Sequence, residues 1–220
     1  MYSILKRVLD LFIAIVALII FSPFLIPVAI LLRLTGEGEV FYQQERIGYK
    51  NNPFNIFKFA TMLKNSPNIG TGDVTVKNDP RVLPMGGFLR KTKLNELPQI
   101  INVLNGTMSI VGARPLMQPS FDMYSSDVKK VIYNTPPGIT GVGSLIFRDE
   151  ETIIAESGME PRAFYEKYIL PYKGEVEIWY QQNKSIWLDI QIIFLTAWAI
   201  VFPKSQLQYK IFKSIPKRNF

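Results

Sequence analysis

From Val8 to Leu32 the chain is apolar at every position except Asp10 and Ser22. That run exceeds the ~20 residues a helix needs to cross a bilayer. A secretory signal would show a shorter apolar stretch and a small-residue cleavage site, and this run shows neither clearly. Ser22-Pro23 falls in its middle and Pro27 follows one turn later. Proline lacks the backbone donor and crowds the preceding turn, so it breaks or kinks a helix. Each half is too short to span alone. Lys6 and Arg7 flank one end and Arg33 the other. A single spanning helix and a re-entrant hairpin that dips in and returns both remain open. The broken centre is what favours the hairpin, and a hairpin leaves the rest of the chain on one side.

After Gly36 the pattern becomes that of a globular domain. Val40-Phe41-Tyr42 reads as a short strand, and Phe54 to Met62 alternates as a second. Gly, Asn and Pro crowd Lys64 to Pro84, which predicts a loop. Leu89, Leu94, Leu97, Ile100, Ile101 and Leu104 recur at helical spacing, with a restart expected just before Pro98. Val111–Pro115 and Pro136–Gly143 read as Gly/Pro-rich loops. Glu160–Asn183 predicts a long polar helix with aromatics. Ser185–Phe202 is strongly apolar, with Ser185 as its N-cap, and a basic tail runs from Lys204 to Phe220. Trp187, Trp198 and that tail fit a helix at a membrane interface, while a core helix of the domain fits the same pattern. The predicted organisation is a membrane hairpin over residues 1–35, then one small mixed α/β domain over residues 36–220 with interfacial amphipathic helices.

Composition narrows the chemistry. The chain has 25 Lys plus Arg against 18 Asp plus Glu, a formal charge of +7, and neither Cys nor His. Disulfides, thiol catalysis and imidazole acid–base chemistry are excluded. A metal would need oxygen ligands, which favours Mg²⁺ or Ca²⁺ over zinc. The positive excess suits an anionic surface or phosphorylated ligands. No nucleic-acid motif accompanies it, so no nucleic-acid partner is expected.

Read in order, several segments resemble the bacterial sugar transferase family, the small monotopic phosphoglycosyl transferases. They are Lys6-Arg7 and Asp10, Ser22-Pro23, Val40 to Gly48, Pro53 to Phe59, Asn78-Asp79-Pro80-Arg81, Phe88 to Pro115, Pro137 to Gly141, and Ser185 to Asp189. The ordered set, more than any one piece, carries the resemblance. It implies a re-entrant helix hairpin broken at Ser22-Pro23 and a small α/β domain on the cytoplasmic leaflet. It further implies a UDP-sugar donor, a polyprenyl phosphate acceptor, membrane lipid as partner, Mg²⁺, and release of UMP. In the family an Asp beside a Glu attacks the sugar-linked phosphate, and the lipid phosphate then displaces the enzyme from a covalent phosphosugar. Homo- and hetero-oligomers are both left open.

Carried across residue by residue, the dyad falls on Asn95 and Glu96, with Glu96 the candidate Mg²⁺ ligand. Lys58, Arg90, Lys91 and Arg114 are the candidate phosphate-binding cations. The chain departs from the pattern at Asn95, where the family has Asp, and at Ala60, Thr107 and Ala113, where it has Arg, Asp and Pro. Asn is a poor nucleophile. Two readings follow: a divergent transferase whose nucleophile is Glu96 or one of Asp149, Glu150 and Glu151, or is bypassed by direct attack of the lipid phosphate; or a catalytically silent member that binds lipid or nucleotide as a partner subunit.

Overall fold

The computed structural model describes residues 1–69 and 79–220. Asn78 and much of the predicted Lys64–Pro84 loop therefore lie outside the described residues, as does the side chain of Glu151. In chain order the helices are α1 (Tyr2–Leu34), α2 (Gly86–Lys91), α3 (Gln99–Asn105), α4 (Gln118–Asp122), α5 (Ser126–Val131), α6 (Val142–Ile146), α7 (Glu150–Glu156), α8 (Pro161–Phe164), α9 (Leu170–Asn183), α10 (Ile186–Val201) and α11 (Leu207–Ile211). Strands β1 (Phe41–Ile47) and β2 (Pro53–Phe59) pair as one two-stranded sheet. Strands β3 (Ser109–Val111) and β4 (Gly138–Thr140) pair as another. The architecture is mixed α/β, as expected.

The chain divides into two compact units. The first holds Met1–Asp10, Arg46–Phe54 and Gly106–Phe220; the second holds Leu11–Glu45 and Asn55–Asn105.

Helix α1 is the described helix long and apolar enough to cross a membrane. Lys6, Asp10 and Ala14, spaced four apart, turn one face inward. Ile4, Val8, Phe12, Ile15, Ile19 and Phe24 are exposed, and such a large apolar face is stable only against lipid or another apolar partner. The expected division at Ser22-Pro23 is not seen: α1 runs unbroken through Pro23 and Pro27. Pro23 cannot donate to the carbonyl of Ile19, four residues back, and Ser22 Oγ donates to that same carbonyl at 3.1 Å. The side chain replaces the bond the proline removes.

In the second unit, Leu32, Phe59 and Leu89 form a buried apolar cluster with Leu25, Val28, Val40 and Leu94 against it. The helix expected over Phe88–Leu104 is divided. Lys93 takes a left-handed conformation with φ 60°, Leu94–Glu96 makes one tight turn, and α3 begins after Pro98. A non-glycine residue in that region stops a helix.

In the first unit, β3 and β4 run parallel, with Ser109 opposite Gly138 and Val111 opposite Thr140. Strand β4 was expected as part of the Pro136–Gly143 loop, and of β3 only Val111 fell in a predicted loop; three-residue strands are too short to show an alternating pattern. A Cβ on Gly138 would collide with the Gly112 backbone, which is the close approach these glycines allow. The main core gathers Val111, Leu145, Ile169, Val176, Tyr180, Ile192 and Leu195. Ser185 caps α10 as predicted, its Oγ accepting from Leu188 N at 3.1 Å. Helix α10 buries Leu188, Ile192 and Leu195 while leaving Trp187, Ile190, Phe194, Ile200 and Val201 exposed. It is a core helix on one face, as one of the two readings expected, and exposed and apolar on the other.

Candidate active site

Five of the predicted site residues fall in the second unit. Phe59, Leu89 and Leu94 belong to one apolar cluster, and their chain neighbours Lys58, Arg90 and Asn95 are positioned by it. Lys58 Nζ donates to Gln44 Oε1 across the β1–β2 sheet at 3.2 Å. One Arg90 Nη lies 3.3 Å from Met62 Sδ. Lys91 is exposed in the last turn of α2. Asn95 and Glu96 occupy the tight turn set by Lys93. Asn95 Oδ1 is buried with no hydrogen-bond partner, which costs stability unless something else meets it.

Two further residues support this region, of which Asn102 was not singled out in the sequence. Asn102 accepts from Phe57 N at 2.9 Å and donates to Asn55 O at 2.7 Å, fixing α3 to β2. Arg81, quoted only as part of a motif, grips Asp79 through Nε (2.8 Å) and Nη2 (2.6 Å) and also donates to the carbonyls of Ser66 and Ile69. With its guanidinium occupied this way, Arg81 holds the chain in place.

Arg114 lies in the first unit. Buried Tyr133 donates to the Arg114 carbonyl at 2.9 Å and accepts from Leu116 N at 3.0 Å. The backbone around Pro115 is pinned while the Arg114 side chain stays exposed. Of the alternative acids, Glu150 is paired with Lys173. Asp149 lines a cavity with Arg148, Lys204 and Arg218. Among the described residues no group of three acids could hold a metal ion.

A buried acid that sequence reasoning passed over is Glu177 on α9. It is 5% exposed, accepts a hydrogen bond from the Gly143 backbone, and has its second carboxylate oxygen without a partner. Burial pushes its pKa up to about 7, against the weaker lowering from Gly143 and Lys173. The available signal was spacing: Glu177 shares a helical face with Leu170, Gly174 and Tyr180, all buried.

Residues 1–203 match the family model described as bacterial sugar transferase. The chain belongs to the bacterial sugar transferase family. It is 32% identical over 202 residues to a UDP-N-acetylgalactosamine-undecaprenyl-phosphate N-acetylgalactosaminephosphotransferase of Aeromonas hydrophila, covering 91% of this chain and 44% of that protein. It is 37% identical over 194 residues to a UDP-glucose:undecaprenyl-phosphate glucose-1-phosphate transferase of Escherichia coli K12, covering 87% and 39%. It is 30% identical over 210 residues to the exopolysaccharide production protein ExoY of Rhizobium meliloti, covering 89% and 84%. The chain thus spans about two fifths of the first two relatives and most of the third.

Proposed function

We propose that the chain is a phosphoglycosyl transferase that moves a phosphosugar from a UDP-sugar to a polyprenyl phosphate and so initiates polysaccharide or glycoconjugate assembly. The observation that carries this reading is the match over residues 1–203 to a family whose relatives are named as undecaprenyl-phosphate sugar phosphotransferases. The exposed apolar face of α1 supports a membrane site for the reaction. In this reading α1 bends at Ser22-Pro23 so that both its ends return to the same leaflet, and residues 36–220 lie on the cytoplasmic side.

Lys58, Arg90 and Lys91 of the second unit bind phosphate oxygens and stabilise charge as it develops on them, and Arg114 of the first unit is a further candidate phosphate ligand. Glu96 is the working acid. Its carboxylate attacks the sugar-bearing phosphorus, UMP leaves with the electrons of the broken P–O bond, and the lipid phosphate then displaces Glu96. Mg²⁺ fits here: Glu96 supplies a carboxylate, and Asn95 Oδ1 is a neighbouring hard oxygen whose hydrogen bonding is unmet. Bound there, the ion would neutralise diphosphate charge.

The Asn95 substitution favours a second reading, a silent lipid- or nucleotide-binding partner subunit. UMP release from a panel of UDP-sugars with polyprenyl phosphate separates the two. The transferase reading expects turnover in the wild type and loss in Glu96→Gln. Turnover that survives Glu96→Gln removes the role given to Glu96. A wild type inert with every donor, together with activity and a phosphosugar adduct in Asn95→Asp, supports the silent subunit.

A further inference from the structure

The basic tail closes a cavity of about 260 Å³ against the α6–α7 junction of the first unit. Its polar lining includes Arg148, Asp149, Lys204, Gln206, Gln208 and Arg218. Three cations face one carboxylate, so the cavity carries net positive charge. Two of the cations are held by neighbours. Arg148 Nη1 donates to the Ala199 carbonyl at 2.7 Å in the last turn of α10. Arg218 Nη2 donates to Tyr209 Oη at 3.0 Å, and its guanidinium lies over the Phe220 ring. Each bond engages only one of the nitrogens of a guanidinium, and its other N–H groups retain their fork geometry.

The tail itself is anchored. Phe212 and Ile215 are buried in the main core, Tyr172 Oη donates to the Pro216 carbonyl at 2.8 Å, and Trp179 Nε1 donates to Ser214 Oγ at 3.2 Å. Lys204 and Arg218 are therefore presented from a fixed segment. That segment begins where the family match ends, at residue 203.

We propose that this cavity is a phosphate-binding subsite, taking a phosphate mono- or diester. Two fixed guanidinium groups and an ammonium suit tetrahedral phosphate oxygens, which accept several charge-assisted hydrogen bonds at once. The volume is several times the ~30 Å³ share of one water, which leaves room for a phosphate and part of what it esterifies. Ile200, Val201 and Phe202, exposed directly before Lys204, add an apolar edge beside the charged cavity. That juxtaposition fits the headgroup of an anionic lipid better than a free ion.

The experiment uses the full chain in neutral detergent, with thermal unfolding followed against inorganic phosphate, short-chain phosphatidylglycerol, and short-chain phosphatidylcholine as a zwitterionic control. Wild type is compared with Lys204→Gln/Arg218→Gln and with Asp149→Asn. Phosphatidylglycerol is expected to stabilise the wild type at lower concentration than the control, with roughly tenfold or greater weakening in the double variant and tightening in Asp149→Asn. Stabilisation by inorganic phosphate with the same dependence on Lys204 and Arg218 would assign the site to soluble phosphate. No stabilisation by either phosphate source, or stabilisation that the double variant retains in full, overturns the proposal. Should the double variant not fold, Lys204→Gln alone carries the test, because its side chain is exposed. UMP release measured on Lys204→Gln/Arg218→Gln reports on the active site separately from the cavity.

Discussion

Lys6 and Asp189, 183 positions apart in the sequence, meet as a buried ion pair, Lys6 Nζ to Asp189 Oδ2 at 2.9 Å. Their side chains are 6% and 1% exposed. Asp189 also accepts from Tyr180 Oη at 2.8 Å and Tyr2 Oη at 3.0 Å. Burial raises the Tyr180 pKa, with the Asp189 charge adding to it, so the phenol stays protonated and donates. The first turns of α1 and α10 are thereby joined through a satisfied polar network. Removing one member of a buried pair strands the other charge. Lys6→Met is expected to cost about 3–5 kcal/mol in chemical unfolding, and Lys6→Met/Asp189→Leu should recover part of it. Additive losses in that cycle would mean the pair is not coupled.

Ser22 and Pro23 predict topology. The sequence contains no cysteine, so single-cysteine probes report cleanly. With α1 re-entrant, Ser3→Cys and Thr35→Cys should both resist a membrane-impermeant thiol reagent in intact cells. Labelling of Ser3→Cys alone would make α1 spanning. Pro23→Leu restores a backbone donor to the Ile19 carbonyl and should shift the balance towards spanning.

Glu177 predicts a pH dependence of stability. Its folded pKa of about 7 lies above the ordinary 4.5, so between those values the folded chain holds a proton that the unfolded chain has released. Stability then falls as pH rises from about 4.5 to about 7, by on the order of 3 kcal/mol, and stays reduced above. Glu177→Gln keeps an acceptor for Gly143 and cannot ionise. Its melting temperature should match wild type near pH 5 and exceed it near pH 8; parallel curves would show that Glu177 does not titrate in this range.

Under the proposed function, Lys58→Ala and Arg114→Ala each remove a charge-assisted phosphate contact worth about 1.5–3 kcal/mol. A fall in kcat/KM of roughly ten- to a hundredfold for the UDP-sugar is expected in each. Unchanged kinetics with unchanged nucleotide affinity would leave both residues structural.

The apolar run of α1, α9, α10 with its Ser185 cap, the strands β1 and β2, and the restart of the helix at Pro98 were legible in the sequence; the unbroken course of α1 through Pro23 was not. The β3–β4 pair, which depends on Gly112 and Gly138 meeting, was not legible either, nor was the left-handed Lys93 that ends α2. At the site, motif order singled out Asn95, Glu96 and Lys58 as candidates. Arg81 stood within the Asn78–Arg81 motif, and its engagement with Asp79 is visible only in the structure. Glu177 was hidden because a carboxylate in a polar helix usually faces water.

Asn102 has one more effect. Strand β2 pairs with β1 along one side, and its other side would offer Phe57 N–H and Asn55 C=O to any passing chain. The Asn102 amide occupies both groups at once. An unguarded strand edge is a template for aggregation, and proteins confined to a membrane surface collide in two dimensions at high local density. One amide that fastens a helix thus also keeps neighbouring copies from adding a strand to β2.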